Sequence, residues 1–209
     1  MDREIKGNGH MNFQEIRSKI TVYTAVDDNR LKLLHNKVNE TKGLSGEMAE
    51  IGVYKGGSTM MIGLSDPDRG LYACDSFEGL PETSKEDIVQ NGGHSKGDFA
   101  DTSLEGVRQL IGYDNNTLLI KGFFPDKVIH EHMEILSYSF VHIDVDLYQP
   151  TLDSLNFFWD RMVKDGIIVS DDYQWRNTPG VKTAFDEFFK DKDVVVHDSG
   201  FNSCWVKKK

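Results

Sequence analysis

Cysteine is scarce. Only Cys74 and Cys204 occur in 209 residues, too few for a disulfide framework, and no Cys-x-x-Cys pair suggests zinc. A reducing, cytoplasmic setting is the default expectation. Long apolar runs are missing as well: none approaches the ~18 residues needed to cross a bilayer, so no membrane partner is expected. Residues 1–10 are polar and lack the apolar core of a signal peptide; the stretch Gly7-Asn8-Gly9-His10 has the look of a disordered leader. Positive charge is in deficit, with 24 Lys+Arg against 34 Asp+Glu and a formal net charge of -10. An acidic surface repels phosphate backbones, which argues against a nucleic-acid partner, and no Asn-Pro-Pro-Tyr-like motif follows a strand. The one basic run, Lys207-Lys208-Lys209, reads as a solvated tail. Internal repeats and low-complexity linkers are absent. What remains is an ordinary globular composition, 38% hydrophobic and 28% charged, at one-domain length.

The first 45 residues read as a helical extension. Asp27 or Asp28 can cap a helix carrying Leu31, Leu33, Leu34 and Val38, which Gly43 would stop; it could lie over a binding site as a lid. From Gly46 to the end, strands and helices alternate. Short apolar or β-branched runs predict strands at 48–53, 71–74, 117–120, 140–143 and 166–169. Helical stretches fall at 58–64, 103–111, 126–136 and 151–163, with Pro150 suited to a first helical turn, and a further helix at 181–189. Such alternation implies an α/β fold, a mostly parallel Rossmann-like sheet with helices on both faces. Two close strands at 194–197 and 202–206, joined through Ser199-Gly200, must run antiparallel and end the sheet in a hairpin. That ending distinguishes methyltransferase sheets from dinucleotide-binding ones. The long polar stretch 75–101 is a second candidate flap.

Ligands of such sheets bind beyond the carboxyl ends of the strands. The turn Glu50-Ile51-Gly52-Val53-Tyr54-Lys55-Gly56-Gly57 lies there, its glycines allowing a sharp bend and close approach, with Ser58 a candidate helix cap. Bare amides at a helix N-terminus favour a pyrophosphate. A carboxylate such as Glu50 would instead suit the cationic amino group and sulfonium of S-adenosylmethionine (SAM), and the spacing is not Gly-x-Gly-x-x-Gly. Asp75 ends the second strand, roughly 20 residues past the glycine turn, where an acid can accept hydrogen bonds from a ribose diol. Gly52, Val53, Tyr54, Ser76 and Phe77 flank these two acids and complete the candidate cofactor set.

A second acidic group follows. In His142-Ile143-Asp144-Val145-Asp146, strand alternation puts His142, Asp144 and Asp146 on one side if the strand stays extended that far. The next strand leads into Ser170-Asp171-Asp172-Tyr173, opening onto the same sheet edge. Such crowding is costly unless a cation or protons neutralise it, and hard oxygen donors suit magnesium, manganese or calcium rather than zinc. Beside a methyl donor, a divalent ion can ligate a substrate hydroxyl and lower its pKa. Asp146 is the first choice of base and His142 the alternative, although a histidine there is also a natural core residue. Among nearby aromatics, Tyr148, Tyr173 and above all Trp175 are candidates for contact with the acceptor; packing is the competing role for each.

The strings Ala49-Glu50-Ile51-Gly52-Val53-Tyr54-Lys55-Gly56-Gly57-Ser58, Asp75-Ser76-Phe77-Glu78-Gly79-Leu80-Pro81, His142-Ile143-Asp144-Val145-Asp146-Leu147-Tyr148 and Asp171-Asp172-Tyr173 resemble the macrocin O-methyltransferase family. The resemblance covers roughly residues 46–189. It implies a class I, SAM- and divalent-metal-dependent O-methyltransferase, Mg2+ being the expected ion, acting on hydroxyls of sugars or glycosylated natural products. It further implies a seven-stranded sheet with a reversed last strand. Asp144, Asp171 and Asp172 would be metal ligands, Asp146 the base, and Glu50, Gly52, Ser58, Asp75, Ser76 and Asp144 neighbours of SAM. The N-terminal portion has no match; in the family, that region helps form lids and oligomer contacts, so a homo-oligomer stays open. Two other readings are a metal-dependent hydrolase or hydroxylase on a similar sheet, and a non-catalytic SAM-binding protein.

Overall fold

The computed structural model describes residues 11–90, 92–112, 116–125, 131 and 133–209. The leader at 7–10, and most of the helix expected at 126–136, lie outside these. Seven strands form one sheet: β1 (Glu47–Ile51), β2 (Leu71–Asp75), β3 (Thr117–Lys121), β4 (Tyr138–Ile143), β5 (Met162–Ser170), β6 (His197–Asp198) and β7 (Cys204–Lys207). Their order is β3-β2-β1-β4-β5-β7-β6. Neighbours from β3 to β5 are parallel, while β7 runs antiparallel between β5 and β6. The order in which strands are added therefore reverses between β1 and β4, and the strand ends there open a crevice.

The terminal hairpin is present but later and shorter than the β-branched pattern suggests. Residues 199–203 are taken by the turn, in which the Ser199 amide donates to the Ser203 carbonyl and Asn202 has φ 61°. The basic run is no solvated tail. Lys207 pairs with Ile167 inside the sheet, Lys208 donates to the Trp159 carbonyl and Lys209 to Asp193.

Helices α1 (Phe13–Ile20), α2 (Asp28–Glu40) and α3 (Gly57–Ser65) cover one face, and α5 (Tyr148–Trp159) and α6 (Pro179–Phe189) belong to the other, with α4 (Leu104–Ile111) beside β3. Asp27 caps α2, accepting from the Asn29 and Arg30 amides, as its residue type demands. Helix α3 has Gly56 as its N-cap; Ser58 is not the cap but the second helical residue. Helix α5 stops at Trp159 rather than 163, because the Arg161 amide closes a turn on Phe158 and Met162 already pairs with Tyr138.

Strand alternation divides the core. Ala49, Ile51, Val141 and Ile168 pack with Phe157, Phe158 and Phe185. Met48, Phe140 and Ile167 pack with Met61, Ile62, Leu31, Leu34 and Ile16. Burying each such side chain stabilises the fold by about 1.5–3 kcal/mol, so the N-terminal helices are packed into the sheet's own core. Their connector is what reaches the crevice.

Candidate functional site

The crevice is a cavity of about 580 Å³ at the ends of β1, β2 and β4, within the size of small-molecule sites. The glycine turn forms its floor. A Cβ on Gly52, which has φ +90°, would sit 1.8 Å from the Asp144 carbonyl oxygen, so only glycine lets the β1 and β4 ends approach this closely. Asp75 folds the turn over: its Oδ2 accepts from the Val53 and Tyr54 amides at 2.7 and 2.9 Å, and Oδ1 accepts from Phe77 at 2.6 Å. A carboxylate has about four acceptor positions, so Asp75 keeps capacity toward the cavity that it lines. The Gly57 amide at the start of α3 donates to the Tyr23 carbonyl at 3.0 Å, which removes one bare amide a phosphate would need.

Of the cofactor candidates, Gly52, Val53, Tyr54, Ser58, Asp75, Ser76 and Asp144 line the cavity. Glu50 and Phe77 are not among the lining residues. Phe77 packs with Val53, Ala73, Val107 and Leu119. Glu50 shares the α2–α3 face of the sheet with Met48. There its carboxylate is fully buried, accepts from the Thr59 hydroxyl and lies 3.0 Å from Nδ1 of His142, its partner in the β1–β4 register. His142, likewise fully buried, also stays behind the wall, with Nε2 3.9 Å from Asp171 Oδ2. Burial alone would push the imidazole down, but the nearby carboxylates of Asp171 and Glu50 outweigh it and lift it to about 10. The structure thus gives His142 the core-histidine position, bridging two buried carboxylates.

The strand does not carry the acids as far as alternation suggested. β4 ends at Ile143, and Asp146 reaches the cavity through a left-handed backbone, φ 60°; Asp172 does the same with φ 62°. Positive φ at a non-glycine residue costs energy and is retained where the surrounding structure requires it. The result is one cluster. Ligand atoms of Asp144, Asp146 and Asp172, and of His142, Asp144 and Asp171, form two groups whose members lie within 4.8 Å of one another. Burial first, then the charges of the neighbouring aspartates, pushes the carboxyls of Asp144 and Asp146 well above the ordinary range, and Asp172 moves the same way.

Two buried atoms at this cluster, His142 Nε2 and Asp171 Oδ1, lack a hydrogen-bond partner, an expensive omission unless another group completes the site. Hard oxygen donors, like charges crowded together and an unsatisfied carboxylate oxygen fit a divalent cation. Asp144, Asp146 and Asp172 line the cavity, whereas Asp171 stands behind it.

On the acceptor side, Trp175 lines the cavity and is 41% exposed. Tyr148 and Tyr173 are not among the lining residues: the Tyr148 hydroxyl donates to Glu187 on α6, and the Tyr173 hydroxyl to Asp186, with its ring against Phe185. Several lining residues carried no sequence signal, notably Arg30, His94, Gln149 and Asp153. His94 comes from the long loop after β2, between Asp98 at 3.4 Å and Asp146 at 3.6 Å. That loop is latched to the glycine turn: the Tyr54 hydroxyl and Lys55 ammonium both reach Asp101, and Thr102 donates to the Tyr54 carbonyl. Only the loop's length and polarity marked it, and nothing local singled out His94.

Residues 16–198 match the model of the family described as Macrocin-O-methyltransferase. Among curated relatives, the demethyldecarbamoylnovobiocin O-methyltransferase of Streptomyces niveus is 25% identical over 187 residues, 83% of this chain and 70% of the relative. The 8-demethyl-8-(2,3-dimethoxy-alpha-L-rhamnosyl)-tetracenomycin-C 4'-O-methyltransferase of Streptomyces olivaceus is 28% identical over 143 residues, 63% of this chain but only 54% of the relative. Among solved structures, the calicheamicin methyltransferase CalS11 superposes with a TM-score of 0.77 at 16% identity, covering 94% of this chain and 86% of the other. At that identity the likeness establishes a shared class I methyltransferase fold.

Proposed function

The chain belongs to the macrocin-O-methyltransferase family, and from that premise we propose that it transfers the methyl group of SAM to a hydroxyl of a saccharide-bearing small molecule, with a divalent cation, Mg2+ by preference, at the aspartate cluster. The observation that carries this reading is that one cavity is lined both by the Asp75-folded glycine turn and by Asp144, Asp146 and Asp172. A donor seated on the turn would meet an acceptor held at the carboxylates. Asp144, Asp171 and Asp172 would hold the cation, which supplies Lewis acidity toward an acceptor hydroxyl. Asp146 is the base in this reading: it lines the cavity, and His94 stands beside it. Gly52, Val53, Tyr54, Ser58, Asp75 and Ser76 would seat SAM, and Glu50 with His142 would hold the floor beneath. Trp175 offers an exposed indole for a sugar ring or aglycone to stack on. Support for the acceptor class comes from the relatives, one of which is named for a rhamnosyl-bearing tetracenomycin.

The test is transfer of labelled methyl from SAM to a panel of glycosylated acceptors, with and without chelation. Metal-dependent transfer to a sugar hydroxyl is expected. Undiminished transfer after thorough chelation would sink the metal role, and SAM binding without turnover on any hydroxylated acceptor would favour a non-catalytic SAM-binding protein.

A further inference from the structure

One cation already sits at the aspartates. Arg30, in the first turn of α2, extends its Nη1 to 3.1 Å from Asp172 Oδ1 and 3.4 Å from Asp171 Oδ2. Its side chain is 11% exposed, against 1% and 14% for the two carboxylates. The contact is aimed. Asp27, which caps α2 through two backbone amides, also holds Nε of Arg30 at 2.9 Å, so the guanidinium is gripped from behind and presented to the cluster. The segment that carries it is itself tied to the cofactor turn by the Gly57–Tyr23 bond, and Tyr23, Thr24, Ala25 and Val26 line the same cavity. One guanidinium nitrogen, Nη1, serves both aspartates, and Asp171 Oδ1 stays unpartnered.

We infer that Arg30 is the resident counter-cation of the aspartate cluster, and that a divalent ion enters by displacing its guanidinium from Asp171 and Asp172. The inference rests on the reading that such an ion binds there. Arg30 and the ion are rivals for the same oxygens, since two cations on one carboxylate pair repel each other. The arginine offsets the cost of buried negative charge at the cluster, and it sets the ion's apparent affinity by the exchange. It is a positioning residue, acting through the aspartates.

The experiment measures Mn2+ binding to the full chain by the electron paramagnetic resonance of free Mn2+, alongside the thermal midpoint in chelator, for the native chain, Arg30→Met and Arg30→Lys. Arg30→Met is expected to bind Mn2+ at least about tenfold more tightly while its metal-free midpoint falls, with most of that loss recovered at saturating Mn2+. Arg30→Lys keeps a charge without the planar fork and should fall between the two; it also serves if Arg30→Met does not fold. Equal or weaker Mn2+ binding by the variants, beside a native chain that binds the ion, overturns the exchange and leaves the metal reading standing. No Mn2+ binding by any of the three overturns the metal reading, and the exchange with it.

Discussion

At the scale of single residues, the site is built from carboxylates whose surroundings assign them different work. Asp75 is spent largely on backbone amides, Asp171 on the buried side of the cluster, and Asp146 faces the cavity in a left-handed conformation. Asp146→Asn should lower kcat by roughly 10²–10⁴, the usual worth of a general base, with the SAM dissociation constant from calorimetry unchanged; a rise in KM alone would remove it from the chemistry. Asp144→Ala should abolish transfer while SAM affinity largely survives, and equal loss of both would mark a structural role. Gly52→Ala has no room, since its Cβ would overlap the Asp144 carbonyl oxygen. Chemical denaturation should show a loss at or beyond the ~1–3 kcal/mol of an overpacked core. The importance of Gly52 and Asp144 could be read separately from their motifs; that one forbids a side chain on the other is a fact of strand ends meeting.

At the scale of elements, the loop after β2 is fastened to the glycine turn through Tyr54, Lys55, Thr102 and Asp101, which in the proposed reading makes it a flap over SAM. The Lys55–Asp101 pair is exposed, and such pairs are screened by solvent and add little to stability. Asp101→Ala is therefore expected to leave the thermal midpoint nearly unchanged while SAM dissociates faster in stopped-flow measurements; an unaltered off-rate would show that the latch does not govern cofactor exit. Element positions were legible where periodicity was strong, as in β1, β2 and β3. They slipped where tertiary contacts outweighed it. Helix α5 gave way to β5 at Met162 because a sheet partner, Tyr138, was waiting, and the Lys207 run became strand because β5 supplied an edge.

At the scale of the whole molecule, the cluster couples fold stability to pH. His142 rises from 6.5 in the unfolded chain to about 10 when folded, so its contribution is full below 6.5 and is lost as pH climbs toward 10. The carboxyls of Asp144, Asp146 and Asp172 are also raised from 3.8; the folded state holds their protons longer, so their contribution too declines as pH rises above the ordinary carboxylate range. Both signs agree. The thermal midpoint of the chelated protein should fall from mildly acidic to alkaline pH, and Mg2+ should flatten that slope by replacing protons with a bound cation. A chelated midpoint that climbs steadily across this range would contradict the arrangement.

The sequence by itself determined the alternating α/β order, the reversed final hairpin, the glycine turn, and the acids Asp75, Asp144, Asp146, Asp171 and Asp172, because hydrophobic period, turn chemistry and strand-end acids are local properties of the chain. It left Tyr148 and Tyr173 beside the favoured Trp175 as acceptor contacts, Glu50 as a group that faces a ligand, and His142 open between base and core residue. Only the tertiary structure separated them, since which side of the wall a strand-end side chain occupies depends on the neighbouring strand's register. It alone brought Arg30 to Asp171 and Asp172, partners 141 and 142 residues away. A charge that far along the chain leaves no mark on the spacing of the acids it neutralises.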